Sequence, residues 1–108
     1  MKLDIRALGF PLTEGLRACV ESGLHHALRE RRGDIRRVQV RLVDVNGPRG
    51  GEDKRCAVRA WLHGGRPLLV ARAHHDLYTA IDEVMGTLRH HRDRRSGRAR
   101  ALHRGGGS

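Results

Sequence analysis

Residues 35–45, IRRVQVRLVDV, carry the clearest strand pattern in the chain. As far as residue 42, polar and apolar side chains alternate, which is the period-two pattern of a β-strand with one buried face. The apolar positions Val38, Val40 and Leu42 predict that buried face, and the opposite face carries Arg37, Gln39 and Arg41. At Val43 the alternation slips, so we expect a β-bulge, or a strand end buried on both faces, around residues 43–45.

Two further strands are predicted on the C-terminal side. After the turn-forming residues 46–51, which include Pro48 and three glycines, residues 54–63 alternate again. The face predicted to be buried carries Cys56, Val58, Ala60 and Leu62. The opposite face carries Arg55, Arg59, Trp61 and His63. Gly64 and Gly65 predict a tight hairpin turn. A strand over residues 67–74 follows, and we expect it to direct Leu69, Ala71 and Ala73 inward.

The N-terminal third predicts a strand and then a helix. Residues 2–8 alternate as a short half-buried strand, and Thr13 is a candidate N-cap with an acidic residue directly after it. Apolar residues then recur every four positions on a helix of about five turns. These residues are Leu16, Val20, Leu24 and Leu28. Basic residues follow, and Gly33 is a candidate for the left-handed C-cap.

A second helix is predicted to begin after Asp76, another candidate N-cap. Its apolar face is formed by Leu77, Ile81, Val84, Met85 and Leu88. Beyond Leu88 the residues are polar on all sides through residue 95. The order is therefore β-α-β-β-β-α. This order predicts an α/β (α+β) two-layer sandwich, a four-stranded sheet with both helices on one face. The first strand should pair parallel to the second, and the last three should form an antiparallel meander.

Composition indicates a polyanionic partner. The chain has 108 residues, 22 lysines and arginines against 12 acidic residues, and a formal net charge of +10. Twenty of the cations are arginine, which binds phosphate through a planar fork. We expect one domain over residues 1–95 and a disordered basic tail over residues 96–108, because the tail has almost no apolar content.

Several classes of function are disfavoured. No apolar run is long enough for a membrane span or a signal peptide, so we expect a cytoplasmic protein that does not bind membranes. Cys19 and Cys56 lie on predicted apolar faces and read as core residues. The eight histidines lack the i, i+4 spacing of a zinc helix, and no nucleophile or phosphate-loop motif occurs. We therefore expect no enzymatic activity, no cofactor, no metal and no small-molecule substrate.

Arginine placement supplies the candidate site. Residues 89–104 hold seven arginines and one aspartate, and a second cluster surrounds the end of the first helix. The RNA-binding candidates are Arg29, Arg31, Arg32, Arg36, Arg37, Arg89, Arg92, Arg94 and Arg95. If the helices lie side by side, these residues form one basic surface. With only three aromatic residues in the chain, the sequence favours recognition of shape and phosphate over base stacking, and Trp61 reads as structural.

Two segments resemble a known family. Residues 74–82, HHDLYTAID, resemble the HEDMYxAID segment of bacterial ribosome hibernation promoting factors, also called ribosome-associated inhibitors or sigma-54 modulation proteins. Residues 12–17, LTEGLR, are similar to that family's VTEAIR. The element order and length also match, so the resemblance covers roughly residues 2–95 and suggests a short form without the additional C-terminal domain of long members.

The resemblance implies a protein that binds the small ribosomal subunit through its ribosomal RNA. Such proteins occupy the channel for messenger and transfer RNA, inhibit translation, and preserve idle ribosomes under stress or in stationary phase. Carried over by position, the RNA-contacting role falls on the basic residues of the two helices. We expect a monomer away from the ribosome.

Two alternatives remain open from sequence. The first is a general RNA- or DNA-binding protein that does not dock at the decoding site. The second is a small enzyme that uses the cysteines and histidines. Sedimentation with ribosomes tests the first alternative, and replacement of both cysteines by alanine tests the second.

Overall fold

The computed structural model describes residues 2–44 and 53–96, with side chains described at all of these except 31, 32 and 91–96. The elements are β1 (Lys2–Leu8), α1 (Glu14–Leu28), a 3₁₀ helix (Arg29–Asp34), β2 (Ile35–Asp44), β3 (Lys54–Leu62), β4 (Leu68–His74) and α2 (Leu77–Ser96). The predicted order β-α-β-β-β-α is confirmed. The predicted turn at 46–51 lies outside the described residues, and so does the predicted tail over 96–108 except for Ser96, which ends α2.

The sheet has the strand order β1-β2-β3-β4. β1 pairs parallel to β2, with Ile5 opposite Val40, and the pairs β2–β3 and β3–β4 are antiparallel. The parallel pair is possible because α1 returns the chain to the starting edge of the sheet between β1 and β2. The predicted topology and the two-layer sandwich are therefore both confirmed.

The core lies between the helices and one face of the sheet. Val38, Val40, Leu42 and Val58 have no solvent-exposed surface, and they face Val20, Leu24, Ile81 and Val84 from the helices. Among the residues with described side chains, no polar or charged side chain is buried. Each fully buried Val or Leu contributes roughly 1.5–3 kcal/mol to folding, so this apolar layer supplies the main stabilisation.

The two helix starts agree with the sequence, whereas the end of α1 does not. The backbone N–H of Leu16 donates to Oγ1 of Thr13 at 3.1 Å, as expected for an N-cap. α1 is 15 residues long, about four turns, and its C-cap Arg29 has right-handed helical angles, φ −55° and ψ −36°. The chain continues directly as the 3₁₀ helix, so Gly33 does not adopt the predicted left-handed conformation.

The facing of β4 was predicted incorrectly. Val70 is buried and Leu69 is 59% exposed, because Val58 pairs with Val70 and Arg59 pairs with Leu69. Ala71 and Ala73 therefore also lie on the open face. Three consecutive apolar residues, 68–70, left the phase undetermined in the sequence. Arg72 occupies the helix side by extending over α2, where its Nη2 donates to Oγ1 of Thr87 at 3.1 Å.

The irregularity predicted near Val43 is also placed elsewhere. Pairing of β2 with β3 is regular through Asp44, which lies opposite Lys54, and the register shift falls between Ile35 and Arg37. Residue 45 lies outside the described residues. The bulge leaves both Arg36 and Arg37 exposed between the buried residues Ile35 and Val38.

Candidate nucleic-acid interface

The helices run parallel to each other, which brings their basic C-terminal ends together. A Cβ on Gly15 would lie 3.6 Å from Oη of Tyr78, and one on Gly23 would lie 2.7 Å from Cγ of Met85. The contact near the helix starts and the contact further along therefore join residues separated by nearly the same number of sequence positions, as parallel helices require. Residues that follow Leu28 in α1 therefore approach residues that follow Leu88 in α2.

Strand topology adds β-strand residues to the same end. β2 starts directly after the 3₁₀ helix, and β3 ends beside it, since the N–H of His63 donates to the carbonyl oxygen of Asp34 at 2.9 Å. We call this region, comprising residues 25–37, 59–63 and 89–96, the basic end. All nine arginines predicted from sequence have their backbone there.

On the helix side, exposed arginine and histidine side chains form what we call the helix-end cluster. Its members with described side chains are His25, His26, Arg29, Arg89 and His90, all exposed. Arg31 and Arg32 follow in the 3₁₀ helix, and Arg92, Arg94 and Arg95 follow in α2. The side chains of these five arginines lie outside the described residues. Cations at helix C-termini are also favoured by the helix dipole, so their position suits the fold as well as an anionic partner.

On the opposite side of the sheet, Arg37 stacks on Trp61. Arg37 and Trp61 are direct cross-strand partners, and the guanidinium carbon of Arg37 lies 4.8 Å from the indole centroid. The guanidinium carbon of Arg59 lies 5.7 Å from the same ring. We call these three residues the open-face stack. The sheet separates Arg37 from the helix-end cluster, so the predicted arginines lie on two surfaces rather than one.

Some arginines and lysines away from the basic end are ion-paired, although Arg55 and Arg72 have no ion pair among the described side chains. Asp4 neutralises Arg6 and Arg41 at 3.5 and 3.4 Å, and Lys54 lies 3.6 Å from Asp44. Within residues 2–44 and 53–90, by contrast, no ion pair involves Arg29, Arg36, Arg37, Arg59 or Arg89. Their guanidinium groups are therefore available to an external anion.

Eight of the ten acidic residues with described side chains lie outside the basic end, and the other two, Glu30 and Asp34, lie within it. Glu14, Asp44, Asp53 and Asp76 lie at the opposite end of the strands and helices. A molecule with cations gathered at one end carries a potential that orients it toward a polyanion during encounter.

The thiols are not arranged for nucleophilic chemistry. Burial raises the pKa of Cys56 to about 12, with a smaller contribution from the neighbouring Cys19. Burial, and then the charge of Asp82, raises the pKa of Cys19 as well. A reactive thiolate requires a lowered pKa. In the part of the chain described, no three His, Cys, Asp or Glu side chains are grouped so that they could hold a metal ion.

Two residues that the structure places beside Arg37 were not among the candidates predicted from sequence. Arg59 was placed on the same face as Trp61, but it was not assigned to the site, and Trp61 was assigned a structural role. The available signal was the alternation in β3, which puts both side chains on one face. The register that sets Arg37 opposite Trp61 is the regular one that runs through Asp44 and Lys54, and periodicity within each strand does not fix such a cross-strand pairing.

Fold and charge together define a small basic two-layer module whose surface suits a polyanion. The chain belongs to the sigma 54 modulation protein / S30EA ribosomal protein family, whose family model matches residues 3–100. This result confirms the resemblance noted in the sequence. No curated protein sequence matches the chain significantly.

Solved structures are similar over most of the chain. The N-terminal domain of Protein Y from Thermus thermophilus shares 28% identity with a TM-score of 0.65, covering 83% of this chain and 90% of that one. A ribosomal subunit interface protein from Coxiella burnetii has the same fold, with a TM-score of 0.74 and 18% identity, covering 90% of this chain and 99% of its own. In the described residues, no helix is both long and apolar enough to cross a membrane.

Proposed function

We propose that this protein binds the small ribosomal subunit through ribosomal RNA and blocks the channel for messenger and transfer RNA. It thereby inhibits translation and preserves idle ribosomes under stress or in stationary phase, as a cytoplasmic monomer without enzymatic activity. Support comes from membership of the S30EA ribosomal protein family and from the similarity to a structure described as a ribosomal subunit interface protein.

The observation that carries the proposal is the convergence of unpaired cations at the basic end. Arg29 and Arg89 are exposed and lack ion-pair partners among the described side chains, and parallel packing of α1 and α2 brings their helix ends side by side. Phosphate oxygens of folded RNA accept hydrogen bonds from such guanidinium groups, and these contacts give affinity without reading sequence.

Occlusion requires a rigid body, and the sandwich supplies one. The helices that carry the arginines are anchored through buried Leu24 and Leu88, which are each only 1% exposed. A domain held this way fills the space it occupies, so messenger and transfer RNA are excluded by volume. No bond is made or broken.

Sedimentation of ribosomes through a sucrose gradient tests binding. We expect the protein to migrate with small subunits, and to dissociate as salt is raised, because each phosphate contact contributes about 0.7–0.9 to the slope of log affinity against log salt. Migration at the top of the gradient at physiological salt would reject the proposal.

A pair of double variants tests the surface. Arg29→Glu with Arg89→Glu should abolish co-sedimentation and relieve inhibition in a cell-free translation assay. Arg17→Glu with Arg55→Glu makes the same change in net charge at exposed positions away from the basic end, and it should retain most of both activities. Equal losses in the two variants would indicate a general charge effect. The triple variant at Arg92, Arg94 and Arg95 extends the test to the end of α2.

The placement of cations on both layers favours one alternative, a general nucleic-acid-binding protein. Affinity for unstructured RNA or for DNA equal to that for small subunits at the same salt would support this alternative. Capture from a lysate with and without nuclease treatment separates RNA-dependent from protein-dependent association.

A further inference from the structure

We propose that the open-face stack is a second RNA contact, and that it holds an unpaired nucleotide of a single strand. Occlusion by the helix-end cluster does not require this surface. The inference goes beyond the proposed function because it assigns base stacking to a chain whose composition favoured phosphate recognition alone.

The three side chains of the open-face stack meet at one aromatic ring. Trp61 attracts Arg37 and Arg59 at 4.8 and 5.7 Å, distances at which cation–π attraction is effective. The indole restricts both planar groups, and Arg37 and Arg59 are both exposed residues. Two like charges that share one ring repel each other, and a phosphate placed between them would relieve that repulsion.

The charges of Arg37 and Arg59 are not neutralised by carboxylates within the described part of the chain. Asp4 pairs with Arg6 and Arg41 further along the same face, but no described carboxylate pairs with either arginine of the stack. Lys2 lies opposite Arg37 in the β1–β2 register and adds another cation beside it. The local charge is thus positive and uncompensated, which complements a nucleic-acid backbone.

Exposed apolar surface lies beside the open-face stack. Leu69 is the β4 partner of Arg59 on the same face and is 59% exposed. Trp61 is only half-buried, although β3 is an interior strand. An unpaired base offers an apolar face and the adjoining phosphate a charge, so a single strand satisfies both surfaces together.

The test uses intrinsic fluorescence, because Trp61 is the only tryptophan in the chain. The probes are an oligouridine and an oligoadenine of about twelve nucleotides, with a duplex RNA of equal length and polyglutamate as controls. We expect saturable quenching by the single strands, stronger for adenine because it stacks better. Duplex RNA should quench much less at equal occupancy, and polyglutamate should not reproduce the effect.

Variants separate stacking from charge. Arg37→Lys with Arg59→Lys keeps both charges at exposed positions but removes the planar groups, so affinity for the single strand should fall about five-fold or more. Trp61→Leu, measured by anisotropy of labelled RNA, should lose a similar factor. The control Arg55→Lys lies on the same strand away from the stack and should bind as the parent does.

Unchanged affinity in the double lysine variant would overturn the proposal, as would equal quenching by duplex RNA or by polyglutamate. The variant with Arg29→Glu and Arg89→Glu distinguishes a failure of RNA binding by the open-face stack from a failure of ribosome binding. If the stack binds RNA, quenching by the oligonucleotide persists in this variant even where ribosome association is lost. Failure of ribosome binding in the parent protein leaves the oligonucleotide result intact.

Discussion

The covered and open faces of the sheet are built from the same strands, and only the alternation of side chains separates them. On the covered face, Val38 and Val58 are completely buried against the helices. On the open face, the positions next to them in sequence include Arg37 and Arg59, which converge on one indole ring. The fold needs only the first face to be apolar, so the second can carry charged side chains without loss of core packing.

The comparison also shows where charge is tolerated. On the covered side, Arg72 is accommodated because its long side chain extends over α2 to Thr87. Cations of the open side occur along the strand lengths, because those side chains lose no solvation there. Basic residues at strand positions therefore carry less information about folding than basic residues at helix ends.

The largest expected effect comes from truncating one leucine on each face. Leu42→Ala removes a completely buried side chain and should lower the free energy of unfolding by about 2–5 kcal/mol. Leu69→Ala lies on the open face, 59% exposed, and should change it by less than about 0.5 kcal/mol. Urea denaturation followed by circular dichroism measures both. A large loss for Leu69→Ala would show that another molecule covers the open face, against the expected monomer.

Thiol accessibility provides the next largest contrast. Cys56 is on the covered face and its pKa is about 12, raised mainly by burial, so it should react with iodoacetamide at least about a hundredfold more slowly in the folded protein than in denaturant. Cys19 is half-buried and should be less protected. Mass spectrometry after timed alkylation separates the two sites. Comparable rates for both in the native protein would contradict the packing of β3.

The same pKa has a consequence at alkaline pH. A thiol with a folded-state pKa above its ordinary value of 9.0 favours the native state fully below that value. The contribution is lost as the pH rises from there toward about 12. Replacing Cys56 with alanine should therefore flatten the decline in stability in that range.

Two helix glycines give a smaller and oppositely signed pair of effects. Gly86 in α2 has no atom within 4 Å of an added Cβ, so Gly86→Ala should stabilise the protein by about 0.5–1 kcal/mol. Gly23→Ala places its Cβ 2.7 Å from Cγ of Met85 at the helix contact. The overpacking offsets the gain in helix propensity, and a net loss of up to about 2 kcal/mol is expected. A stabilised Gly23→Ala would mean that the helices separate more easily than their packing indicates.

Sequence patterns predicted most of the fold because the decisive features are local. Alternation in residues 35–42 and 54–62 and the stripe from Leu16 to Leu28 required no knowledge of distant partners. The prediction of which β4 residues are buried was wrong because three consecutive apolar residues fit either face. The pairing with β3 determines which of them face the core. Gly33 failed as a cap because the 3₁₀ helix continued the chain without reversing it.

The position of the candidate site was predictable from sequence, but the distribution of its arginines over two surfaces was not expected. Clusters around residues 29–37 and 89–95 do converge at one end, because α1 and α2 run parallel. Arg37 lies away from the helices because it precedes the buried Val38 in the regular alternation of β2. The bulge, which sequence periodicity placed at the wrong end of the strand, instead allows Ile35 to be buried. A single residue of register thus decides whether a side chain faces the helices or the open surface.

The smallest expected effect concerns the start of α2, at the opposite end of the molecule from the basic end. The Thr79 hydroxyl donates to Oδ2 of Asp76 at 2.7 Å, and this bond, followed by the backbone N–H groups of Tyr78 and Thr79, lowers the pKa of Asp76. A lowered carboxyl pKa means that the cap contributes above the ordinary value of 3.8 and is lost as the pH falls through the folded-state value.

Asp76→Asn keeps the acceptor oxygen and should retain the helix start while removing this part of the acid dependence. Asp76→Ala should lose helix content at every pH, and both changes can be followed by far-ultraviolet circular dichroism between about pH 5 and pH 2. Because Asp76 is fully solvated, the change should stay small and leave RNA binding at the basic end unaffected. A loss of RNA binding in Asp76→Asn would mean that the two ends are coupled through α2, against the independence on which the contrast between the ends depends.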